Sequence, residues 1–458
     1  MNLKAWHFWM KSASILLLCF IYYVIGYELE RSQFWLLFSL YSAAFGLSIY
    51  LYRSGIRLKF LIGLSFLFKL IFLVSIPELS QDFYRFIWDG MLNSLGLNPY
   101  LHLPSEIVKS DAVNAESLSP MLYENMGSLS ANNYSTYPPI AQLIYSLTYD
   151  LAGANLLLNV MYLRLFHLLA ELGLVYFSLK ILKKINLPQK QILFFIMNPL
   201  VILELSFSLH FEGVMLLFLA LSLYYLYACK IYISALGFAA AVASKLLPLM
   251  FLPLLFPYLN KRLKLLNRPQ LLTYLKFTGV SLLSLILAYS FLWDSDLLFK
   301  NSRTLALYFT SFEFNASFYY LLRWIGFQWS GYNMIGLFGK ILPVITLALI
   351  LFLSLRHKKI NFKTLVYSML FIATAYYLLS TTVHPWYITL PLFLSMFTPF
   401  KYMLLWSWLV FLSYSAYKIE GVEENHWLIG LQYAAVVALM LYEGLKNRSL
   451  FSRIRFLA

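Results

Sequence analysis

The sequence has little charge and almost no cysteine. Only 12% of its 458 residues are charged, while 61% are hydrophobic and 19% are aromatic. So few charged residues are too few for the surface of a soluble domain, which excludes the soluble globular class. Both cysteines, Cys19 and Cys229, lie in apolar runs. They predict no disulfide framework.

Sequence signals of several other protein classes are also missing. No small-residue cleavage site follows the first apolar run, 12–27, so a removable signal peptide is not expected. We find no soluble domain, no sequence repeat and no inverted-repeat signal of the kind seen in many transporters. The net charge is +15, but the basic residues form separate clusters between apolar runs. That distribution is typical of membrane topology and excludes nucleic acid as a partner.

Apolar stretches of about 16–22 residues recur from end to end, and each is close to the length that crosses a hydrocarbon core. The predicted spans are 12–27, 34–52, 60–76, 156–182, 191–208, 211–228, 231–245, 246–258, 271–292, 334–355, 364–380, 386–399, 402–418 and 427–445. The pair 231–245 and 246–258 is interpreted as one broken helix. The sequence therefore predicts an all-α, polytopic integral membrane protein with about 12–14 transmembrane helices.

Lysine and arginine predict the orientation, because they are enriched in cytoplasmic loops. With the N-terminus inside, every strongly basic loop falls on the inner side. These loops are 53–59, 183–190, 261–268 and 356–363, together with Lys230, Lys401 and the tail residues Lys446, Arg448, Arg453 and Arg455. We therefore predict that both termini are cytoplasmic.

One long acidic segment, 77–155, falls on the opposite, extracytoplasmic side. Within it, 137–152 is predicted to lie in the outer interface, because counting it as a span would move Lys183 and Lys184 outside. The whole chain, 1–458, is expected to form a single membrane domain. Its parts are an N-terminal helical hairpin at 1–58, a core at 59–400, and C-terminal helices with a basic cytoplasmic tail at 401–458.

The stretch SQDFYRFIWDGMLNSLGLNPY, residues 80–100, begins the large outer loop. Ser80 can cap a helix, and at about 100° per residue Asp82, Arg85 and Asp89 fall on one stripe. Arg85 and Asp89 also have the spacing of a salt bridge. The pattern predicts an amphipathic helix on the outer membrane surface. Its charged stripe could either solvate that helix or form part of a site.

Further polar residues are predicted at the same membrane level. They are Arg164 and His167 with Glu171 a turn deeper, His210 and Glu212 of SLHFEG, Lys245 of ASKLLP, and His384 of TTVHPWY. Ionisable residues at membrane depth are costly and usually line a pathway or a site. Each one alone could be a packing residue, but their common level favours a site. The proline-bearing break at 245–257 favours a cavity beside it.

These residue types suit a substrate that is part lipid, part phosphate and part sugar. Lysine and arginine bind phosphate, and aromatic faces suit sugar rings and isoprenoid chains. A single carboxylate can act as general base for a sugar hydroxyl.

Six motifs appear in a recognisable order: DFYRFIWDG, GLNPY, YPPIAQ at 137–142, HFEG at 210–213, ASKLLP at 243–248 and HPWY at 384–387. Together they resemble the GT-C superfamily of membrane glycosyltransferases, and most of all the bacterial polyprenol-phosphate-mannose-dependent type. The order is also similar to that of glycosylphosphatidylinositol mannosyltransferase I and the mycobacterial phosphatidylinositol-mannoside mannosyltransferases. The resemblance runs from about residue 75 to 400 and makes 59–400 the catalytic core.

The resemblance implies an inverting glycosyltransferase that uses a polyprenyl-phosphate sugar, mannose in the nearest families, on the outer face. A glycolipid or lipid-linked glycan would be the acceptor. By position in the motif, Asp82 would be the catalytic base, while Asp89 would orient substrate or pair with Arg85. A retaining scheme with two carboxylates is disfavoured, because Asp82 and Asp89 would lie about 10 Å apart along a helix.

The roles of the other candidate site residues follow from the same expected mechanism. His384 is also predicted to be catalytic. The donor phosphate would be bound by residues from Arg85, Arg164, Lys245 and His384, and the substrate would contact Tyr137, His210, Glu212, Trp386 and Tyr387. Membrane lipids are expected partners, and no obligate protein partner is implied.

We expect no cofactor and no metal. Many relatives carry a paired-acid motif in the first outer loop, where this chain has Asp-Phe-Tyr. The one Asp-x-Asp, Asp294–Asp296, lies in another loop and could hold a metal, but a lipid-phosphate donor needs none.

Three other functions stay open. A lipid-linked glycan flippase or transporter would explain the many helices and buried charges, although the charges gather at one face. A polymerase or ligase of the same superfamily would act on a polymer, but the outer loops are modest in size. A non-catalytic scaffold is the third.

Overall fold

The computed structural model describes residues 3–259, 268–356 and 360–447. Helices dominate these residues, which confirms the prediction of an all-α polytopic membrane protein. The strands in the described ranges are β1, Tyr417–Lys418, and β2, Gly421–Val422. They form a short antiparallel hairpin in which Tyr417 pairs with Val422.

The N-terminal part runs through the loop segment 77–155. Its helices are α1 Leu3–Tyr27, α2 Phe34–Arg53, α3 Leu58–Leu70, α4 Asp82–Ser94, α5 Pro104–Ile107, α6 Asp111–Asn114, α7 Ser119–Asn125, α8 Gly127–Ala131 and α9 Pro139–Ala152. The central helices are α10 Leu156–Lys184, α11 Leu193–Ile196, α12 Pro199–Val201, α13 Glu212–Tyr227, α14 Ile231–Ser244 and α15 Leu252–Leu259. A π-helix, Ile202–Phe207, directly continues α12.

The C-terminal helices are α16 Arg268–Ser290, α17 Leu297–Thr310, α18 Phe318–Ser330, α19 Ile335–Arg356, α20 Phe362–Leu379, α21 Thr389–Ser395, α22 Tyr402–Leu409 and α23 His426–Lys446. Short 3₁₀ turns lie at Gln189–Ile192, Leu247–Phe251, Pro385–Ile388 and Val410–Ala416.

Fewer helices reach membrane-spanning length than the sequence predicted. Among the described residues, seven are long and apolar enough, or eight if the bent pair Gln189–Ile196 and Pro199–Phe207 counts as one span. Four more apolar helices have only 10–17 residues. The predicted spans 60–76 and 386–399 are interrupted: α3 ends at Leu70, and 386–399 divides between a 3₁₀ turn and α21. Hydropathy detects an apolar run but not a break within it.

Some of the predicted inner basic residues lie outside the described ranges. These are Lys261, Arg262, Lys264, Lys358, Lys359, Arg448, Arg453 and Arg455.

The loop segment 77–155 has an apolar core of its own. Phe86, Ile87 and Trp88 of α4 pack with Tyr145 of α9 and with side chains of α7 and α10. The two helices approach closely at Gly90, where a Cβ atom would lie 2.3 Å from the backbone oxygen of Tyr145. This core fixes α4 against the helical body.

The prediction that the polar stripe of α4 is exposed is wrong for Arg85 and Asp89. Arg85 and Asp89 are buried, and their stripe faces the segment 130–135 and α9 instead of solvent. The stripe was predicted correctly, but buried polar partners cover it. The N-cap residue is Gln81 rather than Ser80, although Ser80 Oγ accepts a hydrogen bond of 3.3 Å from the Asp82 amide.

Candidate active site

A cavity of about 470 Å³ opens where the start of α4 meets the segments 129–138 and 380–387. Its charged and titratable lining residues are Arg31, Asp82, Arg85, His210, Lys245 and His384. Another part of the lining is apolar and comes from α17, α19 and α20, through Leu305, Leu307, Leu342, Pro343 and Leu379. The cavity therefore has a polar part and an apolar part. Two of the helices that form the apolar part, α19 and α20, are long enough to span a membrane.

Asp82 is the first residue of α4, and its side chain is one-third exposed to the cavity. Burial raises the pKa of Asp82 to about 6; the Lys245 ammonium opposes this rise and the Glu212 carboxylate adds to it. A carboxylate with a pKa nearer neutrality is a stronger proton acceptor than an ordinary aspartate. His210 Nδ1 lies 4.0 Å from Asp82 Oδ2.

Arg85 and Asp89 form the ion pair that their spacing predicted. Arg85 Nε donates to Asp89 Oδ1 at 2.7 Å, and Arg85 Nη1 donates to the carbonyl of Asn133 at 2.9 Å. The other carboxylate oxygen, Oδ2, accepts hydrogen bonds from Ser135 Oγ and from Gln142 Nε2, the latter at 2.8 Å. Asp89 is fully buried and does not line the cavity. The remaining Arg85 nitrogen, Nη2, is buried and has no hydrogen-bond partner among the residues that the structure describes.

Lys245 lies at a true break between α14 and the 3₁₀ turn Leu247–Phe251, in extended backbone. Its ammonium forms an ion pair with Glu212 and lies 5.3 Å from the centre of the Tyr387 ring. Lys245 lines the cavity, whereas Glu212 is buried behind it. Glu212 therefore lies one layer behind the lining, and its predicted contact with substrate stays a prediction.

The HFEG and HPWY motifs meet in a stack of aromatic rings. Trp386 lies between two histidines, 3.7 Å from the His210 ring and 4.4 Å from the His384 ring, and is nearly parallel to both. Phe314 extends the stack beyond His384. Burial, assisted by the Lys245 charge, lowers the pKa of His384 to about 3. A neutral imidazole can offer a phosphate one N–H donor but no positive charge.

Arg164 is the predicted phosphate ligand that the structure does not bring to the cavity. It is fully buried, and its guanidinium donates to the carbonyls of Ser206 at 2.7 Å, Leu73 at 2.8 Å and Phe207 at 3.2 Å. These bonds hold the end of the π-helix against α10. The other predicted residues outside the lining are Asp89 and Glu212, while Tyr137, Trp386 and Tyr387 line it as expected.

Residues 2–260 match the family model MptA_B, described as alpha-(1->6)-mannopyranosyltransferase, N-terminal domain. The match covers more than half of the chain. The chain belongs to the alpha-(1->6)-mannopyranosyltransferase family. This confirms the resemblance to a GT-C-type mannosyltransferase and identifies a glycosyltransferase, which sets aside the transporter and scaffold alternatives. No curated protein and no solved structure matches the chain.

The sequence reasoning missed two charged residues of this mannosyltransferase. Arg31, between α1 and α2, donates to the Leu79 carbonyl at 3.3 Å and places its guanidinium 4.0 Å from the centre of the Tyr417 ring. The predicted topology already puts the loop 28–33 on the same face as 80–100, so Arg31 could have been found. Glu204 is an acid inside a predicted span, which is also a recognised signal of a site.

The Asp294–Asp296 pair does not form a cluster of ligands. Asp294 Oδ1 accepts from the Asp296 amide at 2.9 Å, and Asp296 lies 3.5 Å from the ammonium of Lys300. Within the described ranges there is no group of three or more His, Cys, Asp or Glu side chains that could hold a metal ion. Metal-independent catalysis stays a prediction.

Proposed function

We propose that this mannosyltransferase moves mannose from a polyprenyl-phosphate donor to a hydroxyl of a glycolipid or lipid-linked glycan, with inversion of configuration. The observation that carries the proposal is that one cavity has both a polar and an apolar surface. Asp82 and cationic side chains lie on its polar part, and α19 and α20, which are long and apolar enough to cross a membrane, supply an apolar part. A phosphate attached to an isoprenoid chain matches both surfaces, whereas a nucleotide sugar has no apolar chain to occupy the second.

The chemistry needs one base and a site for the leaving phosphate. The acceptor hydroxyl transfers its proton to the Asp82 carboxylate, and the hydroxyl oxygen attacks the anomeric carbon. The bond between that carbon and the phosphate oxygen breaks, and the electron pair leaves with the polyprenyl phosphate. Lys245, Arg31 and the spare Nη2 of Arg85 would stabilise the developing phosphate charge. Attack opposite the leaving group inverts the anomeric centre.

The proposed setting is the outer face of a bacterial inner membrane, with both termini in the cytoplasm. The basic loops support this orientation through the positive-inside tendency. A lipid-linked donor is also expected on the outer face, because nucleotide sugars are made inside the cell and do not cross the membrane. Membrane lipids are the proposed surroundings, and no protein partner or metal is required.

The test measures mannosyl transfer by purified protein supplied with a panel of polyprenyl-phosphate sugars, with the lipid product identified by mass spectrometry. Asp82→Asn should lower kcat by about 10²–10⁴-fold, the usual contribution of a general base, and leave donor binding intact. Asp111→Asn is the matched control, because Asp111 is an exposed acid of the same loop segment. A chelator should have no effect.

Full activity of Asp82→Asn would refute the assignment of the base. Transfer from a nucleotide sugar, but not from the lipid-linked donors, would refute the donor class. Loss of activity in chelator, reproduced by Asp294→Asn, would instead establish a metal site.

A further inference from the structure

A second buried carboxyl group lies behind the predicted base. Glu204 Oε2 is 3.5 Å from His210 Nε2, and the opposite ring nitrogen of His210, Nδ1, is 4.0 Å from Asp82 Oδ2. Tyr414 donates its hydroxyl hydrogen to the other Glu204 oxygen at 2.8 Å. Tyr414, Glu204, His210 and Asp82 therefore follow one another in a line that ends at the cavity.

The backbone is irregular at the two places that create this line. Glu204 belongs to the π-helix, an arrangement that is rare and frequently found at functional sites. Leu209 is buried and has a φ of 64°, a left-handed conformation that is strained for a non-glycine residue. The turn that results lets the His210 amide donate to the Glu204 carbonyl at 3.1 Å. The fold thus keeps a strained connection that brings His210 back toward Glu204.

The Glu204 carboxyl group and the His210 ring make few other polar contacts. Within the described ranges, Glu204 Oε2 and His210 Nε2 are both buried with no hydrogen-bond partner, although the two atoms lie 3.5 Å apart. Stacking on Trp386 fixes the imidazole plane. Among the described residues, the ion-pair partner of Glu204 is His210 alone. A buried carboxyl with no lysine or arginine beside it is most stable as a neutral acid that donates a hydrogen bond. A slight approach of the two atoms would let Oε2 donate to His210 Nε2. That bond would put the imidazole hydrogen on Nδ1, the nitrogen that lies 4.0 Å from Asp82 Oδ2.

We propose that Glu204 and His210 are positioning residues that orient Asp82. Glu204 fixes the tautomer of His210, and His210 Nδ1–H then donates to Asp82 Oδ2 when substrate closes the 4.0 Å gap. That bond leaves Asp82 Oδ1 free for the acceptor hydroxyl and favours the ionised base. The inference rests on the proposed function of Asp82 as base. It also reassigns His210, which the sequence analysis placed among the substrate contacts.

Paired substitutions separate this role from packing. An asparagine amide reaches the place of Nδ1, whereas a glutamine amide reaches the place of Nε2, and both lose the ring. We expect His210→Gln to lower kcat by about 10–100-fold, the effect of removing a hydrogen bond to a charged group, with KM for polyprenyl-phosphate mannose unchanged. His210→Asn should restore most of kcat. Glu204→Gln, which can still donate to Nε2, should stay near wild type, while Glu204→Leu should resemble His210→Gln.

His167→Gln is the matched control, because His167 is equally buried but does not line the cavity. Equal loss of kcat in both His210 variants, or wild-type kcat in folded Glu204→Leu, would overturn the proposal. If Glu204→Leu yields no folded protein, the comparison at position 210 decides alone. An inactive Asp82→Asn with no such pattern refutes only the positioning role. An active Asp82→Asn refutes the base assignment itself.

Discussion

Replacing Asp89 by asparagine should damage stability, in contrast to the same change at Asp82. Every group that contacts the Asp89 carboxylate is a donor: Arg85 Nε at 2.7 Å, Gln142 Nε2 at 2.8 Å, and Ser135 Oγ. An asparagine has one acceptor oxygen and one NH₂ group, so in either orientation its NH₂ faces a donor. The change also leaves the Arg85 guanidinium buried without its counter-charge. Breaking a buried ion pair in this way costs about 3–5 kcal/mol.

Asp82→Asn is the matched comparison, since it is the same chemical change seven positions earlier on α4. Burial raises the pKa of Asp82 to about 6, so above pH 6 its ionisation works against the folded state. Its neutral replacement should leave stability unchanged or slightly higher. Thermal unfolding of both variants in detergent micelles at pH 7.5, followed by tryptophan fluorescence, measures the contrast.

The expected result is a large fall in Tm and in monodisperse yield for Asp89→Asn, with neither for Asp82→Asn. If both variants unfold at the same temperature, the ion pair is not stabilising and the reasoning fails. If Asp89→Asn is stable but inactive, Asp89 takes part in the chemistry after all, and the roles of the two acids must be exchanged.

Two further predictions concern α4. The value of kcat/KM should fall about tenfold per pH unit below pH 6, as Asp82 becomes protonated, and should stay level above pH 6. A pH profile in which kcat/KM begins to fall only near pH 4 would contradict the burial of the base. Gly90→Ala should destabilise the protein by about 1–3 kcal/mol through overpacking against the backbone of Tyr145. The same change at Gly63, which lies inside α3 with open space around it, should leave Tm unchanged or raise it slightly, because alanine favours a helix.

Local patterns predicted the parts of this site that depend on local geometry. The spacing of Arg85 and Asp89 gave their ion pair, and the prolines after Lys245 marked a real helix break. The order of the motifs correctly suggested that HFEG, ASKLLP and HPWY belong with α4, because their side chains line one cavity. A pattern of this kind records which residues share a face or a turn, so it succeeds where neighbours in sequence are also neighbours in space.

The predictions for Asp89 and Arg164 differ from the structure for a common physical reason. Periodicity placed Asp89 on a polar stripe but could not show that Ser135 and Gln142 cover it, since those residues lie more than 40 positions away. Arg164 was assigned to phosphate because it is a cation at membrane depth, yet three backbone carbonyls use its guanidinium. Carbonyls freed by a π-helix cannot be recognised from sequence. Composition reveals a buried charge, but only the fold reveals its partner.

Three polar side chains of the cavity, Arg85, Lys245 and His210, share one arrangement: behind each lies an acid that does not line the cavity. Asp89 holds Arg85, Glu212 holds Lys245, and Glu204 lies behind His210. A charge at the edge of a membrane loses much of its hydration, so a fixed partner in the interior lowers the cost of keeping it there. Under the proposed function, the donor phosphate would meet side chains that are already oriented, which is the condition for strong electrostatic stabilisation of a transition state. The charged and titratable side chains of the motifs thus divide into those that line the cavity and those that hold them from behind, and residue type alone does not separate the two groups.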